Sequence, residues 1–410
     1  MSFIKETHDV TRVVDTVFAV NRKATKAKQI YGNDAVIDAT IGSLYDEEGN
    51  LVALKTVFDN YNAIDNKIKA KYAADFSGNE AFKRSVNAWI KGDNNLDLSS
   101  SVVATPGGTG AINLTIDLCL EKGQTLIIPS IAWGSYAIMA NNAGAKVKRY
   151  EMFDGDSFNL SSFKEVCSEV MNEQKKVVVI INDPCHNPTG YSMTQNEWKE
   201  VVEYLNELSK MGSVVLLNDI AYMDYSYNLE EVRNYLNEFN HLLENVLVIV
   251  AFSCSKLMTS YGLRCGAALI MGKDEKAVNI VEGCFEKSAR ALWSNVNNSA
   301  MENFDAIVSN HLDEFMNEKQ MYIDLLHKRS EIIVKEANDC GLPIYPYKEG
   351  FFVTVKVDNE IRDKYHEALM DNLIFTVKVN NGIRIAACSL PIEKCKGIAK
   401  RMNEILKGLK

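Results

Sequence analysis

Lys256 closes the segment Ala251-Phe252-Ser253-Cys254-Ser255-Lys256, and Arg264 follows eight residues later between Gly262 and Gly266. An amine that can lose its proton condenses with a carbonyl, whereas hydroxyls and a guanidinium fork hold a phosphate. The set therefore suits a carbonyl compound that also carries a phosphate. Taken alone, a lysine after an apolar run is ordinarily a solvated surface charge. Its neighbours decide between the two readings.

Two other apolar runs end in distinctive polar groups. Val177 to Ile181 leads into Asn182-Asp183-Pro184-Cys185-His186-Asn187-Pro188-Thr189-Gly190, and Val214 to Leu217 leads into Asn218-Asp219-Ile220-Ala221-Tyr222. An isolated aspartate at such a place caps a turn, and Asn-Pro-Thr-Gly is a common turn. Beside a pyridine ring, however, a buried carboxylate keeps the ring nitrogen protonated, and the cationic ring becomes an electron sink. Asn187 and Tyr222 are suited to a phenolate oxygen. Upstream, Thr105-Pro106-Gly107-Gly108-Thr109-Gly110 opens a helical pattern, which turns backbone N–H groups toward an anion. No lysine or third glycine falls at the spacing that nucleotide-binding loops need, and a plain helix cap is the bland alternative. Together these groups match pyridoxal 5'-phosphate: an aldehyde, a pyridine nitrogen, a phenolate and a phosphate on one small molecule.

These residues need a frame. Between about residue 100 and residue 275, short apolar runs (Leu126–Ile128, Val177–Ile181, Val214–Leu217, Val246–Val250, Ala267–Ile270) alternate with amphipathic stretches such as Gln195 to Met211. That pattern predicts an α/β domain whose largely parallel sheet is covered on both faces, with ligands bound beyond the carboxyl ends of the strands. The tail predicts one long helix over about 305–339, a break at Gly341-Leu342-Pro343, and short strands at 350–355 and 382–385. A last helix from Ile392 completes a smaller α+β domain. The expected division is an N-terminal arm and part of the small domain at 1–48, a large cofactor domain at 49–315 and a small domain at 316–410.

Composition narrows the function further. The 410 residues are 47% hydrophobic and carry a net charge of -9, which disfavours a nucleic-acid face. Nine cysteines without C-x-x-C spacing make a disulfide framework or a metal site unexpected and suit a cytoplasmic home. Met1 to Asp9 lacks the apolar core of a signal peptide, and no apolar stretch is long enough to span a membrane.

With the lysine segment, the D-x-A-Y unit and the N-P-T-G unit in this order, the chain resembles the pyridoxal-phosphate-dependent aminotransferases of classes I and II. The resemblance runs from about Asp38 to Ala387 and is nearest the aspartate/aromatic branch. It implies the fold-type I transferase architecture, with a largely parallel seven-stranded sheet and a smaller α+β domain. By residue, it implies that Lys256 forms the Schiff base, Asp219 partners the ring nitrogen, and Tyr222 and Asn187 hold the phenolate oxygen. Ser253, Arg264, Gly108 and Thr109 resemble the phosphate site, and Trp133 the ring-stacking indole. Arg384 matches the arginine that grips the substrate α-carboxylate, and Gly42 lies where the N-terminal segment closes over substrate. Tyr72, Arg290 and Ser294 match residues that reach into a neighbouring subunit, so a homodimer with shared sites is implied. There Arg290 would meet the distal carboxylate of a dicarboxylic substrate. Asn187-Pro188 is a candidate cis peptide.

Three departures stand out: Gly107 in place of a serine, Tyr136 where aspartate aminotransferases carry a histidine, and Val296-Asn297-Asn298 in place of Pro-Pro. They leave the donor open between the aspartate and aromatic classes. The expected activity is transfer of an amino group from an L-amino acid to a 2-oxo acid such as 2-oxoglutarate. A carbon–sulfur β-lyase on the same fold and a cofactor-binding regulatory protein are the alternatives; Trp133 and Arg290 count against the first, and the intact lysine motif against the second.

Overall fold

The structure, a computed structural model, describes Phe3, Ile4, Thr11 and residues 16–409. Most of the first fifteen residues of the expected N-terminal arm, and the Met1-to-Asp9 reading, lie outside the described residues.

The apolar runs become a seven-stranded sheet: β1 (Ser99–Thr105), β2 (Thr125–Pro129), β3 (Lys146–Tyr150), β4 (Lys176–Asn182), β5 (Ser213–Asp219), β6 (Val246–Ser253) and β7 (Gly266–Gly272). Their spatial order is β1-β7-β6-β5-β4-β2-β3, and only β7 runs antiparallel to its neighbours. The runs are continuously apolar because both faces are covered. Val177, Val179, Ile181, Leu216 and Val248 enter one core cluster, and Val178, Ile180, Val215, Leu217 and Ile249 the other. Each fully buried side chain of this size contributes about 1.5–3 kcal/mol. The helix Gly107–Cys119, here α1, and the helix Glu275–Leu292, here α2, cover the second face through Ile112, Ile116 and Phe285.

Register brings the polar ends together. Asn182 pairs with Asp219 across β4 and β5, and Asp219 pairs with Ala251 across β5 and β6. On the antiparallel side, Gly266 faces both Ser253 and Thr105. Adjacent strands lie roughly 4.8 Å apart, so these chain ends form one short row.

The tail departs from the expected single helix. One helix spans Asn298–Asn310, His311 leaves the helical region at φ -131 and ψ 23, and a second helix, α3, spans Leu312–Cys340. Gly341, at φ 76, takes the left-handed cap that ends it. The expected closing helix is likewise divided, into Ile392–Cys395 and Ile398–Lys407, by Gly397 at φ 79. Between them stands a three-stranded sheet in the order Phe352–Lys356, Gly382–Ala386, Val377–Val379. Ile37 and Asp38 pair in parallel with Ile374 and Phe375, which ties the early chain to this layer. No described helix is long and apolar enough to cross a membrane, and the described residues contain no cluster of three or more potential metal ligands.

Candidate active site

The ends of β4, β5 and β6 and the start of α1 enclose a cavity of about 400 Å³. Gly42, Gly108, Thr109, Trp133, Asn187, Asp219, Tyr222, Ser253, Lys256, Arg264 and Arg384 all line it. They come from segments more than 340 positions apart, and the sheet and the small layer assemble them.

Lys256 follows β6 in the single-turn helix Cys254–Leu257, where the Ser253 hydroxyl accepts from the Ser255 N–H. Its side chain is half-buried, and its amine donates to the Gly42 carbonyl at 2.6 Å. Burial, helped by the guanidinium groups of Arg384 and Arg264 and opposed by Cys388, lowers its pKa from 10.5 to about 8. About a tenth of the amine is therefore neutral near pH 7, far more than for an ordinary lysine, as a nucleophilic amine requires.

Asp219 is buried at the far wall. Its Oδ2 accepts from the Tyr136 hydroxyl at 2.5 Å and its Oδ1 from the Ala221 N–H at 3.1 Å. Burial raises its pKa, while those two bonds pull in the opposite direction. Burial and the Asp219 charge push the Tyr136 phenol well above its usual range, so it remains a neutral donor. The histidine-to-tyrosine departure thus preserves a hydrogen bond to the carboxylate. A ring cation beside Asp219 would add the opposite charge that favours its ionised form.

The phosphate end lies at the other wall. Arg264, at φ 51, donates from Nη1 to the Ser255 hydroxyl at 3.0 Å and to the Tyr261 carbonyl at 2.8 Å. Gly107 stands at φ 74, left-handed backbone that favours glycine, and lies against the Arg264 guanidinium, with an added Cβ 2.6 Å from Nη2. At Gly266 the barrier is backbone, since a Cβ there would meet the Phe252 carbonyl oxygen at 2.4 Å.

Asn187 and Tyr222 face each other, with Nδ2 to hydroxyl at 3.4 Å, and the Asn187 N–H donates to Asn182 Oδ1 at 2.7 Å. The Asp183-Pro184 and Asn187-Pro188 bonds are both cis. Arg384 is buried; its Nη2 donates to the Thr40 carbonyl at 2.8 Å, and its guanidinium lies 4.3 Å from the Phe352 ring centroid. Its buried Nε has no hydrogen-bond partner among the described residues. A guanidinium at a cavity wall suits a carboxylate ligand.

Tyr72, Arg290 and Ser294 are not brought into this cavity. Tyr72 is 81% exposed. Arg290, near the end of α2, donates from Nη1 to the Ser294 hydroxyl at 2.6 Å and packs 4.6 Å from the Phe76 ring. Sequence reasoning missed Tyr261, whose ring centroid is 4.7 Å from Lys256 Nζ and whose hydroxyl accepts from the Leu44 N–H at 3.0 Å. It also missed the bracing role of Asn182, although the first polar residue after an apolar run was a usable signal. Thr40 and Phe352 carry no local signal, because only tertiary contact brings them to Arg384.

A largely parallel sheet with an amine, a carboxylate and an anion cup at its carboxyl edge is the frame of a fold-type I pyridoxal-phosphate enzyme. The profile of the family "Aminotransferase class I and II" matches residues 35–402. The chain belongs to that family. It is 31% identical to an aminotransferase from Anaerococcus prevotii whose crystal structure superposes with a TM-score of 0.95 over 98% of both chains. It is 26% identical to the aromatic-amino-acid aminotransferase of Paracoccus denitrificans over 63% of this chain and 64% of that protein. For the aspartate aminotransferase of Salmonella typhi the figures are 29%, 48% and 49%, so these matches span about half to two thirds of the curated relatives' length. The fold is shared with the aromatic-amino-acid aminotransferase of Burkholderia pseudomallei, whose structure is covalently bound to pyridoxal phosphate, at 20% identity and a TM-score of 0.78 over 99% of this chain and 100% of that one. The family cofactor is pyridoxal phosphate, and the residues present fit it: a half-buried amine of lowered pKa, a buried carboxylate, and a glycine-rich helix start beside the Arg264 guanidinium.

Proposed function

We propose that this chain is a transaminase that moves an amino group from an L-amino acid of the aspartate or aromatic class to a 2-oxo acid such as 2-oxoglutarate. One observation carries the reading: the Lys256 amine, with its pKa near 8, shares a single cavity with buried Asp219 and the buried Arg384 guanidinium. Pyridoxal phosphate, when bound, supplies the carbonyl for covalent attachment and a ring that accepts electrons.

The chain's own groups do the rest. Lys256 would be the attachment point for the cofactor, and its free amine would serve as the base and acid that moves the proton at the substrate Cα. Asp219, held by Tyr136, keeps a positive charge on the ring nitrogen. Asn187 and Tyr222 would hold the phenolate oxygen, Trp133 would cover the ring, and Ser253, Arg264 and the Gly108 and Thr109 amides would hold the phosphate. Arg384 fixes the α-carboxylate and thereby the direction of the Cα–H bond. Tyr72, Arg290 and Ser294 stand outside their own cavity, which suits a two-fold dimer in which they complete the neighbour's site. Gly42, whose carbonyl holds the resting amine, marks the segment that closes over substrate.

The test is a half-reaction screen of single amino acids against the holoenzyme, followed by cofactor absorbance. Conversion by acidic or aromatic amino acids, with turnover dependent on an added 2-oxo acid, supports the reading. Pyruvate release from a cysteine conjugate without any oxo acid would assign a β-lyase instead.

A further inference from the structure

Ile41, Gly42 and Ser43 form part of the catalytic cavity wall. This strap belongs to the small layer: the Ala386 N–H donates to the Ala39 carbonyl, and the Tyr45 N–H to the Cys388 carbonyl, both at 3.0 Å. Arg329, fully buried on α3, secures it by donating to the Tyr45 carbonyl at 2.8 Å and to Glu47 Oε1 at 2.6 Å. Toward the large domain, one short turn at 256–261 holds the strap and its return. Lys256 donates to the Gly42 carbonyl at 2.6 Å, and the Leu44 N–H donates to the Tyr261 hydroxyl at 3.0 Å. The Leu54 N–H donates to the Thr259 hydroxyl at 3.0 Å. Between these holds, the Val52 N–H donates to the Leu44 carbonyl at 2.9 Å, so Val52 reports whether Leu44 stays in place.

These holds differ in permanence. Lys256 is the reacting group of the proposed function, and its bond to Gly42 is lost whenever the amine is engaged elsewhere. Tyr261 lines the same cavity, with its ring centroid 4.7 Å from the Lys256 amine, yet it has no part in the chemistry. Burial raises its pKa while the Leu44 N–H pulls the other way, so the phenol stays neutral and keeps its acceptor lone pair at working pH. We infer that Tyr261 is a positioning residue: its hydroxyl keeps the Gly42-to-Leu44 strap against the cavity whenever Lys256 releases the Gly42 carbonyl. The inference rests on the proposed role of Lys256. Tyr261 acts through the strap, which walls the space that substrate enters, and touches no reacting atom itself. One neutral hydrogen bond shifts such an equilibrium about fivefold.

Tyr261→Phe keeps the ring beside Lys256 and deletes the acceptor. The experiment follows amide hydrogen exchange, resolved residue by residue, in borohydride-reduced holoenzyme, where cofactor permanently occupies Lys256. In the wild type the Leu44 and Val52 amides should stay protected after reduction. In Tyr261→Phe both should exchange about fivefold faster or more, with β6 unchanged. In the unreduced variant KM for amino and oxo acid should rise about fivefold with kcat within about twofold, the mark of lost uniform binding. Four results overturn the inference: protection lost in the reduced wild type, acceleration confined to Leu44 itself, acceleration that extends into β6, or a fall in kcat at unchanged KM. Failure of the transaminase reading shows separately, as a holoenzyme in which borohydride traps no adduct on Lys256.

Discussion

Lys319 offers a sharp test of the packing around the Lys256 turn. It projects from α3 into full burial, where its amine donates to the Leu257 carbonyl at 3.1 Å and lies 3.8 Å from the Tyr225 ring centroid. Asp224 is the neighbouring carboxylate, but its Oδ1 is already 2.6 Å from Arg233. Burial therefore dominates and lowers the Lys319 pKa from 10.5 to about 7; Asp224 and Cys185 pull it up and Arg233 pushes it down. A depression of that size means that keeping the ammonium buried costs roughly 5 kcal/mol. Lys319→Met retains the length of the side chain and removes the charge. It also strands the Leu257 carbonyl, at a cost of about 1–3 kcal/mol. The variant should be more stable than wild type by about 2–3 kcal/mol at pH 7 and below. The sign of the pH dependence follows from linkage. Between about pH 7 and 10.5 the unfolded chain keeps the proton that the folded one has released, so wild-type stability rises through that window. At about 1.4 kcal/mol per pH unit the advantage of methionine should vanish near pH 9 and then reverse, until above about pH 10.5 only the lost hydrogen bond remains. Urea midpoints of both holoproteins between pH 6.5 and 10 measure this, with an expected shift of roughly half a molar at the low end. A variant that is less stable than wild type by the same amount at every pH would refute the reasoning and make the Asp224 field, rather than burial, the larger effect.

Four other outcomes are expected. Lys256→Ala should abolish turnover and the borohydride-trappable cofactor adduct while the phosphate contacts retain cofactor, as read by mass spectrometry and absorbance. Asp219→Ala should slow the half-reaction by two or more powers of ten, about the scale of losing a principal electrostatic stabiliser, and Asp219→Glu should lose less. Tyr136→Phe removes a donor that lowers the Asp219 pKa, so its rate should fall roughly tenfold and the acid limb of its pH profile should move upward; an unmoved limb would separate Tyr136 from the carboxylate. Arg290→Ala should slow aspartate and glutamate far more than phenylalanine if the side chain serves a second subunit, and light scattering should show a dimer; equal small losses would leave Arg290 as a surface contact.

The local sequence determined the chemistry-bearing positions because each follows an apolar run whose burial on both faces permits only a strand. Lys256, Asp219 and Asn187 were legible for that reason, and register alone then set Asn182 beside Asp219. The order of motifs also disclosed the family, since the cofactor needs an amine, a carboxylate and an anion cup together. Tertiary structure decided what no local pattern encodes. The helix breaks at His311 and Gly397 come from a side-chain-independent change of backbone region in the first case and from left-handed backbone in the second, and neither interrupts the apolar periodicity. That Gly107 takes φ 74 and lies against Arg264, 157 positions later, is set by the fold and not by the local sequence. The bond from Arg384 to Thr40 and the enclosure of Lys319 likewise depend on segments far apart in the chain. Local sequence fixes which groups an element can present; burial, and therefore pKa, partner and pocket, exists only once distant elements have excluded water from around them.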